Sequence, residues 1–312
     1  MTLTELKYII TLSRTLHFGE AAKQCFVSQP TLSVAVKKLE DQLGVTIFER
    51  SRHALMVTPV GQRIVSQAER VLAESSLIEQ IAMADKDPLS SVFRLGAIYT
   101  VGPYLYPKLV PIIRDTATKM PLYVEEDFTA NLREKLCQGK LDAAVIATPF
   151  TANDVVVKEL YKESFAVLMP ASHPLAEKTA IQHDDLVDEA ILLLGEGHCF
   201  RDQVLGACPA IQRSLDANNN TSKMIAEGSS LETIKHMVAS GLGITLLPAS
   251  AASGHEKEQH SAQTVIRPFA SPAPVRTIAL AWRTSFPRHQ AIDRLVEAIQ
   301  QSSSALELQN IA

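Results

Sequence analysis

Phe18-Gly19-Glu20-Ala21-Ala22-Lys23-Gln24-Cys25-Phe26-Val27-Ser28-Gln29-Pro30-Thr31-Leu32-Ser33 is patterned as a short helix, a tight turn and the first turn of a second helix. Ala21 and Ala22 are small enough for helices to touch. Ser28 is a good N-cap, and Pro30 is tolerated in the first turn because the N–H it lacks has no helical partner there. Leu32, Val36, Leu39 and Leu43 then recur at helical spacing as a buried stripe, and Gly44 closes the helix. Upstream, Thr2 with Glu5 forms a capping box, and Leu3, Leu6, Ile9, Ile10 and Leu12 give one apolar face. This is the pattern of a helix-turn-helix, whose last helix fits the major groove of duplex DNA.

The stripe leaves Gln29, Pro30, Thr31, Ser33, Val34 and Lys37 facing outward. Gln pairs bidentately with adenine, Ser and Thr adapt to several edges, and Lys suits a phosphate or guanine. Phe48-Glu49-Arg50-Ser51-Arg52-His53 followed by Leu55-Met56-Val57 has the form of a basic wing, with Arg50 and Arg52 supplying positive charge. Residues 1–60 hold Lys7, Arg14, Lys23, Lys37, Lys38, Arg50 and Arg52 against Glu5, Glu20, Glu40, Asp41 and Glu49. That net of +2 lies within a chain of net charge −4. A small polyanion-binding head on an acidic body is the expected arrangement.

After Pro59 a helical stretch runs to about Asp87. Ile64, Ala68, Val71, Ser75, Ile78 and Ala82 alternate by four and three, the spacing of a coiled-coil seam or of a plain amphipathic helix. Asp87-Pro88-Leu89-Ser90-Ser91 is a hinge. Beyond it, Phe93–Ile98, Leu122–Glu126, Ala143–Thr148, Phe165–Met169, Ile191–Leu194, Ile244–Leu247 and Thr277–Trp282 are patterned as strands alternating with helices. One of those helices opens at a capping box Ser229-x-x-Glu232 and closes at Gly241. Such alternation predicts an α/β architecture with largely parallel sheets, as one large domain or two lobes. The tail beyond Ser302 is expected to fray.

At 312 residues the chain exceeds one ordinary core, and its 46% hydrophobic and 21% charged content is that of a globular protein. Four cysteines are too few for a secreted disulfide scaffold. With no signal peptide and no apolar run of membrane-spanning length, a reducing cytoplasm is the expected home. In Gly197-His198-Cys199-Phe200-Arg201-Asp202-Gln203-Val204-Leu205-Gly206-Ala207-Cys208, Cys199 stands between an imidazole and a guanidinium two residues on. Positive charge favours the thiolate, the form that attacks oxidants, and a second thiol within reach traps the oxidised sulfur. One His and two Cys at this spacing do not make a zinc site. Cys25 and Cys137 fit inert small hydrophobes, and His173, His183, His236 and His289 are scattered without an evident role.

The helix-turn-helix run, with Leu39-Glu40-Asp41-Gln42-Leu43-Gly44-Val45-Thr46-Ile47-Phe48-Glu49-Arg50 and Leu55-x-Val57-Thr58-Pro59-x-Gly61, closely resembles the LysR-type transcriptional regulators. The resemblance extends over the whole chain. It implies a multidomain protein: a winged helix-turn-helix DNA-binding domain over 1–58, a linker helix dimerising as a coiled coil over 59–88, and a two-lobed α/β effector domain over 89–312 resembling periplasmic binding proteins. Lobe I is expected at about 89–161 and 269–312, and lobe II at about 162–268. It also implies double-stranded promoter DNA as partner, a homotetramer built as a dimer of dimers, contact with RNA polymerase, and no cofactor or metal.

Most members of that family bind a small metabolite between the lobes. Here Gly197-His198-Cys199-x-Arg201-Asp202-Gln203, Gly206-x-Cys208, Thr100-Val101-Gly102-Pro103-Tyr104-Leu105 and Ser230-Leu231-Glu232-Thr233 resemble instead the branch that senses hydrogen peroxide and activates antioxidant genes. The resemblance makes Cys199 the peroxide-attacking thiol and Cys208 its resolving partner, with Thr100, Thr129, His198, Arg201 and Asp202 around the peroxide. A cellular thiol reductant would reset the switch. In such a pocket the threonines donate and accept, His198 orients peroxide or relays a proton, Arg201 stabilises anionic sulfur and Asp202 fixes that guanidinium. A helix beginning near Cys199 would add N–H groups that favour the anion. Position 180 is Ala, so no third thiol competes near the switch.

If 199–208 is helical when reduced, nine steps of ~1.5 Å part the two Cα atoms by roughly 13 Å. A disulfide needs them within about 7 Å, so oxidation must rearrange the segment, with Gly206 and Pro209 easing the change. The expected consequence is a shift of dimer contacts that re-spaces the DNA-reading heads. Two other functions remain open on the residues alone: a metabolite-binding regulator with incidental cysteines, and a thiol peroxidase. The length given to a DNA module argues against an enzyme.

Overall fold

The computed structural model describes residues 1–312 apart from 51–54, 85, 86, 88, 188, 210–226, 254–261, 305–307, 311 and 312. Its compact units are Met1–Lys86 with Cys137–Lys140, and Asp87–Leu136 with Leu141–Ala312.

In the first unit, α1 (Leu3–Thr15), α2 (Phe18–Gln24) and α3 (Gln29–Leu43) precede a hairpin of β1 (Phe48–Arg50) and β2 (Leu55–Val57), and α4 (Pro59–Ala84) follows. The Thr2–Glu5 capping box is formed in both directions, at 3.2 and 2.8 Å. The Ser28 hydroxyl accepts from the Thr31 N–H at 3.3 Å, and Gly44 ends α3 in the left-handed conformation. Leu32, Val36 and Leu39 are buried with Leu6, Ile9, Leu12, Ala21 and Ala22. Leu43 departs from the stripe: in the last turn of α3 it is exposed, because the core ends one turn earlier.

The segment Thr58-Pro59-x-Gly61 has a packing reason. Thr58 Oγ1 donates to the Thr46 carbonyl at 2.8 Å and accepts from the Gly61 N–H at 2.9 Å, and a Cβ on Gly61 would strike the Ile47 carbonyl oxygen. Glu40 holds the same turn by accepting from the Ile47 and Phe48 N–H groups. The six-residue seam expected along α4 divides. Ala68 is buried in the unit's own core, with Ile64 and Val71 packed against it, whereas Ile78 is 70% exposed. Pro88 of the hinge, part of the tail, and the wing residues Ser51, Arg52 and His53 lie outside the described residues.

The second unit runs β3 (Phe93–Ile98), α5 (Gly102–Thr116), β4 (Leu122–Asp127), α6 (Thr129–Cys137), β5 (Ala143–Ala147), β6 (Val155–Pro170), two 3₁₀ turns (Pro174–Glu177 and His183–Leu186), β7 (Leu193–Leu194), α7 (Cys199–Ala207), β8 (Glu227–Gly228), α8 (Leu231–Ala239), β9 (Thr245–Pro248), α9 (Ala249–Ala252), β10 (Thr264–Pro268), β11 (Val275–Arg283), α10 (His289–Ser304) and β12 (Gln309–Asn310). Among the described residues the strands order as β10-β6-β11-β5-β3-β4. The expectation of largely parallel sheets is corrected. Only β4, β3 and β5 run parallel on this path, while β11 and β6 return antiparallel and β6 pairs antiparallel with β9 and β10.

The reason is β6. Its first half, Val155–Ser164, pairs with β11, and its second half, Phe165–Pro170, pairs with β10 and β9. One strand thus feeds two cores. The first gathers Phe93, Leu95, Leu105, Leu109, Leu132, Tyr161, Leu280 and Leu295; the second gathers Phe165, Val167, Leu192, Phe200, Val204, Ile234 and Leu247. The effector part is two-lobed. Two local expectations also change. Ser230, not Ser229, caps α8, accepting from the Thr233 N–H at 3.2 Å, and Glu232 instead accepts from the Tyr104 hydroxyl at 2.8 Å. The strand expected over Ile191–Leu194 shortens to Leu193–Leu194, with Ile191 in a single bridge to Ile244.

Candidate functional site

Gly197 turns the chain from β7 into α7 at φ +91°, with Phe128 packed where a side chain would begin. That turn makes His198 the N-cap and Cys199 the first residue of α7. The unbonded N–H groups of a helix's first turn favour negative charge at that place. Cys199, His198, Thr100, Thr129, Tyr99, Ile98, Asp127, Phe128 and Gly197 line a cavity of about 10 Å³, room for one water-sized molecule. A wider cleft of about 330 Å³ adjoins it, sharing Cys199, Thr129 and Gly197 and adding Asp202, Arg133 and Phe150 among its walls.

The polar atoms are specific. Thr100 is buried, and its Oγ1 accepts from Arg276 Nη1 at 2.8 Å, which leaves the hydroxyl hydrogen to donate elsewhere. Thr129 Oγ1 is buried and makes no hydrogen bond within the described residues. His198 is buried against Phe128, at a centroid distance of 4.8 Å, and Tyr99, at 5.7 Å. Burial pushes its pKa down, opposed by a hydrogen bond to the Ser229 backbone. Burial therefore disfavours the positive imidazolium expected from the sequence beside Cys199.

The guanidinium expectation is corrected too. Arg201 lines neither cavity; its Nη1 donates to the Leu194 carbonyl at 2.9 Å and to Glu227 Oε1 at 2.6 Å. Glu227, on β8 beside the end of β7, takes the anchoring role expected of Asp202, because the helix turns Arg201 toward those strands. Asp202 is exposed and faces the cleft beside Cys199. Thr100, Thr129, His198 and Cys199 are thus brought together, Asp202 stands next to them, and Arg201 and Cys208 stand apart.

Cys208 caps the other end of α7, fully buried in the second core. Burial pushes its thiol up to about 11. Its Sγ lies 3.4 Å from Nδ1 of His183, whose ring lies 5.2 Å from that of Phe269. The sequence gives His183 no evident role, because nothing in the chain between it and Cys199 hints that a 3₁₀ turn delivers it here.

Sequence reasoning also missed Arg276 and Glu163. Arg276 Nε and Nη2 reach Glu163 Oε1 at 2.8 and 2.7 Å, both side chains are buried, and the guanidinium lies 4.9 Å from the Phe200 ring. Phe200 follows Cys199 and packs edge-on against Phe165 at 5.1 Å. No local signal marks them: Lys158, Glu159 and Lys162 share β6 with Glu163, Arg283 shares β11 with Arg276, and only the pairing of the two strands sets this Arg opposite this Glu.

On the DNA-reading unit, Gln29, Pro30, Thr31 and Lys37 of α3 are exposed and Ser33 is half-buried. The Arg50 side chain and Arg52 lie outside the described residues.

Comparison with known proteins places these features. Residues 3–62 match the bacterial regulatory helix-turn-helix protein family of lysR type, and residues 86–304 match the LysR substrate binding domain. The chain is 36% identical over 300 residues to the DNA-binding transcriptional dual regulator OxyR of Escherichia coli K12, covering 96% of this chain and 95% of that protein. Full-length OxyR from Pseudomonas aeruginosa carrying a cysteine-to-aspartate change is 53% identical, with 96% and 95% of the chains covered and a TM-score of 0.76. An H2O2-bound cysteine-to-serine mutant of Corynebacterium glutamicum OxyR is 29% identical, with 98% and 93% covered and a TM-score of 0.65. With its reading helix matched at one end and its two-lobed body over most of the rest, the chain belongs to the LysR family of bacterial transcriptional regulators.

Proposed function

We propose that the chain is a peroxide-responsive, DNA-binding transcription regulator controlling antioxidant genes, switched by oxidation of Cys199 and a disulfide to Cys208. One observation carries the reading. Cys199 opens α7 in a cavity with Thr100, Thr129 and His198, while a second thiol is buried at the far end of that same helix. The likeness to OxyR proteins, one of them described as H2O2-bound, supports it.

The chemistry follows from the atoms. The Cys199 thiolate attacks one peroxide oxygen, the O–O bond breaks, and sulfur becomes a sulfenic acid. The departing hydroxide takes a proton and leaves as water. Thr100 and Thr129 donate to the peroxide oxygens, and the imidazole of His198 orients the molecule or passes the proton. The adjoining cleft, which shares Cys199 and Thr129, gives the second oxygen room. Arg276 is a positioning residue, fixing Thr100 while it packs on Phe200. The Cys208 sulfur then attacks the sulfenic sulfur, forming the disulfide and releasing water. With α7 intact the two Cα atoms stand roughly 13 Å apart, beyond the ~7 Å limit, so closure requires α7 to unwind.

We place the DNA-binding domain at 1–58, the linker helix at 59–88 and the effector domain at 89–312. The separate cores support lobe I at about 89–161 and 269–312 and lobe II at about 162–268. Gln29, Pro30, Thr31, Ser33 and Lys37, with Arg50 and Arg52 of the wing, contact promoter DNA. The protein works in the cytoplasm as a tetramer of two dimers, engages RNA polymerase, and is reset by a cellular thiol reductant.

Thiol alkylation with mass mapping, before and after a brief micromolar peroxide pulse, tests the reading. The expected result is a Cys199–Cys208 bridge within seconds, lost in Cys199→Ser. A peroxide response retained in Cys199→Ser would refute the reading. Intact regulation after Cys208→Ser would remove the disulfide and leave a sulfenate-only switch.

A further inference from the structure

Helix α3 carries one side chain that folding does not explain. Val34 is 68% exposed, on the side of the helix away from Leu32, Val36 and Leu39. Thr31, one turn before it, and Lys37 and Lys38, one turn after it, share that exposed face. A β-branched residue in an exposed helix interior is a poorer helix former than alanine, so stability alone argues against valine here. The Thr31 hydroxyl is engaged with Ser28 Oγ at 2.7 Å, inside the helix cap. The middle of the outward face therefore presents an isopropyl group where a groove reader ordinarily presents hydrogen-bonding groups.

The major groove has one apolar feature. Every base pair there displays donors and acceptors, and only thymine adds a 5-methyl group. We propose that Val34 is a specificity-determining residue that selects thymine in each half-site by packing its methyl groups against the thymine 5-methyl. The proposal rests on the reading of α3 as the helix that enters the groove.

The probe is a randomised duplex DNA library, amplified with the four ordinary nucleotides so that it contains no 5-methylcytosine. Full-length reduced protein and its Val34→Ala variant each select from it. The expected wild-type consensus carries a thymine in each half-site that the variant no longer requires, with the other positions unchanged as evidence that the variant folds and binds. In the selected duplex, replacing that thymine by deoxyuridine removes only the methyl group. Wild type should then bind about fourfold more weakly per half-site, as expected from ~0.8 kcal/mol per buried apolar carbon, and Val34→Ala should bind both duplexes equally. A consensus shared by the two proteins, or an equal loss in both on the deoxyuridine change, overturns the proposal while leaving DNA binding in place. Enrichment of no sequence by the wild type removes the DNA-binding reading and the proposal with it.

Discussion

Replacing Gly206 by alanine should make the switch harder to oxidise. Gly206 lies in the last turn of α7, is exposed, and a Cβ built on it meets nothing within 4 Å. Alanine therefore adds no contact and no clash, and its effect is conformational. A helical glycine costs about 0.5–1 kcal/mol relative to alanine. The reduced protein contains α7 and the disulfide form cannot, so that gain falls on the reduced form alone. It corresponds to an equilibrium shift of about two- to fivefold. For a two-electron couple, where ~30 mV equals ~1.4 kcal/mol, the Cys199–Cys208 potential should rise by about 10–20 mV. Full-length protein equilibrated across graded ratios of reduced and oxidised dithiothreitol, acid-quenched, alkylated and weighed, reads that midpoint directly. The first step should be untouched, so sulfenate formation in a Cys208→Ser background should proceed at the same rate with or without the Gly206→Ala change. A potential that stays put, or moves negative, would show that α7 is not the element that oxidation unwinds.

The thiol of Cys208, pushed up to about 11 by burial, should carry about a hundredfold less thiolate at pH 8 than the same thiol in unfolded protein. Iodoacetamide should therefore label it at least about a hundredfold more slowly in reduced native protein than in urea, and comparable rates would contradict its placement in the core. The sign for stability follows from linkage. A thiol kept protonated in the native state stabilises below its unfolded value of 9.0 and loses that contribution as pH rises toward about 11, so the urea midpoint should fall across that window. Glu163→Gln leaves the Arg276 guanidinium buried without its counter-charge and should cost about 3–5 kcal/mol, read as a lower urea midpoint with unchanged slope. Adding Arg276→Met should recover part of that loss. If the single variant matches wild type, the pair does not hold β6 to β11.

The DNA-reading unit was legible because its rules are local. Ser28, Pro30 and Gly44 set the ends of α3, and the spacing of Leu32, Val36 and Leu39 set its buried side, all within one short stretch of chain. Leu43 escaped because spacing says which face a residue shares, not where the neighbouring helix stops. In the effector part the same local signals placed β3, β5 and the Phe165–Met169 half of β6, but not the whole strand, whose sixteen residues belong part to one core and part to the other. Its first half, Val155–Ser164, pairs with β11, which lies far downstream in the chain. The site divides along the same line. Thr100, His198 and Cys199 were marked by their own segments and Thr129 by the resemblance alone, whereas the partners of Arg201, Thr100 and Cys208 were not marked. Glu227, Arg276 and His183 reach those atoms through strand pairing and a 3₁₀ turn, contacts of long sequence separation that no spacing rule encodes.

Those misplaced partners change how the proposed switch works. With Arg201 held by Glu227 and burial disfavouring the charged His198, what stands at the Cys199 sulfur is the first turn of α7, with Arg133 in the adjoining cleft. A negative sulfur at that position and the helix support each other, by about 0.3–1 kcal/mol. In the proposed reaction the attacking thiolate becomes a neutral sulfenic acid, so the helix loses that support at the moment when its unwinding is needed to bring Cys208 within reach. Arg276 and Phe165 still clamp Phe200 at the first turn, whereas the last turn carries Gly206 with open space around it. Unwinding should therefore begin at the Cys208 end and stop short of Phe200, which keeps the peroxide cavity assembled while the second thiol travels to the first. Hydrogen exchange on a Cys208→Ser protein, compared before and after oxidation to the sulfenate, should show protection lost at the amides of 206–208 ahead of those of 203 and 204, which donate back to the first turn. Loss beginning at residues 203 and 204 would place the weak end of the helix at the wrong thiol and refute that order.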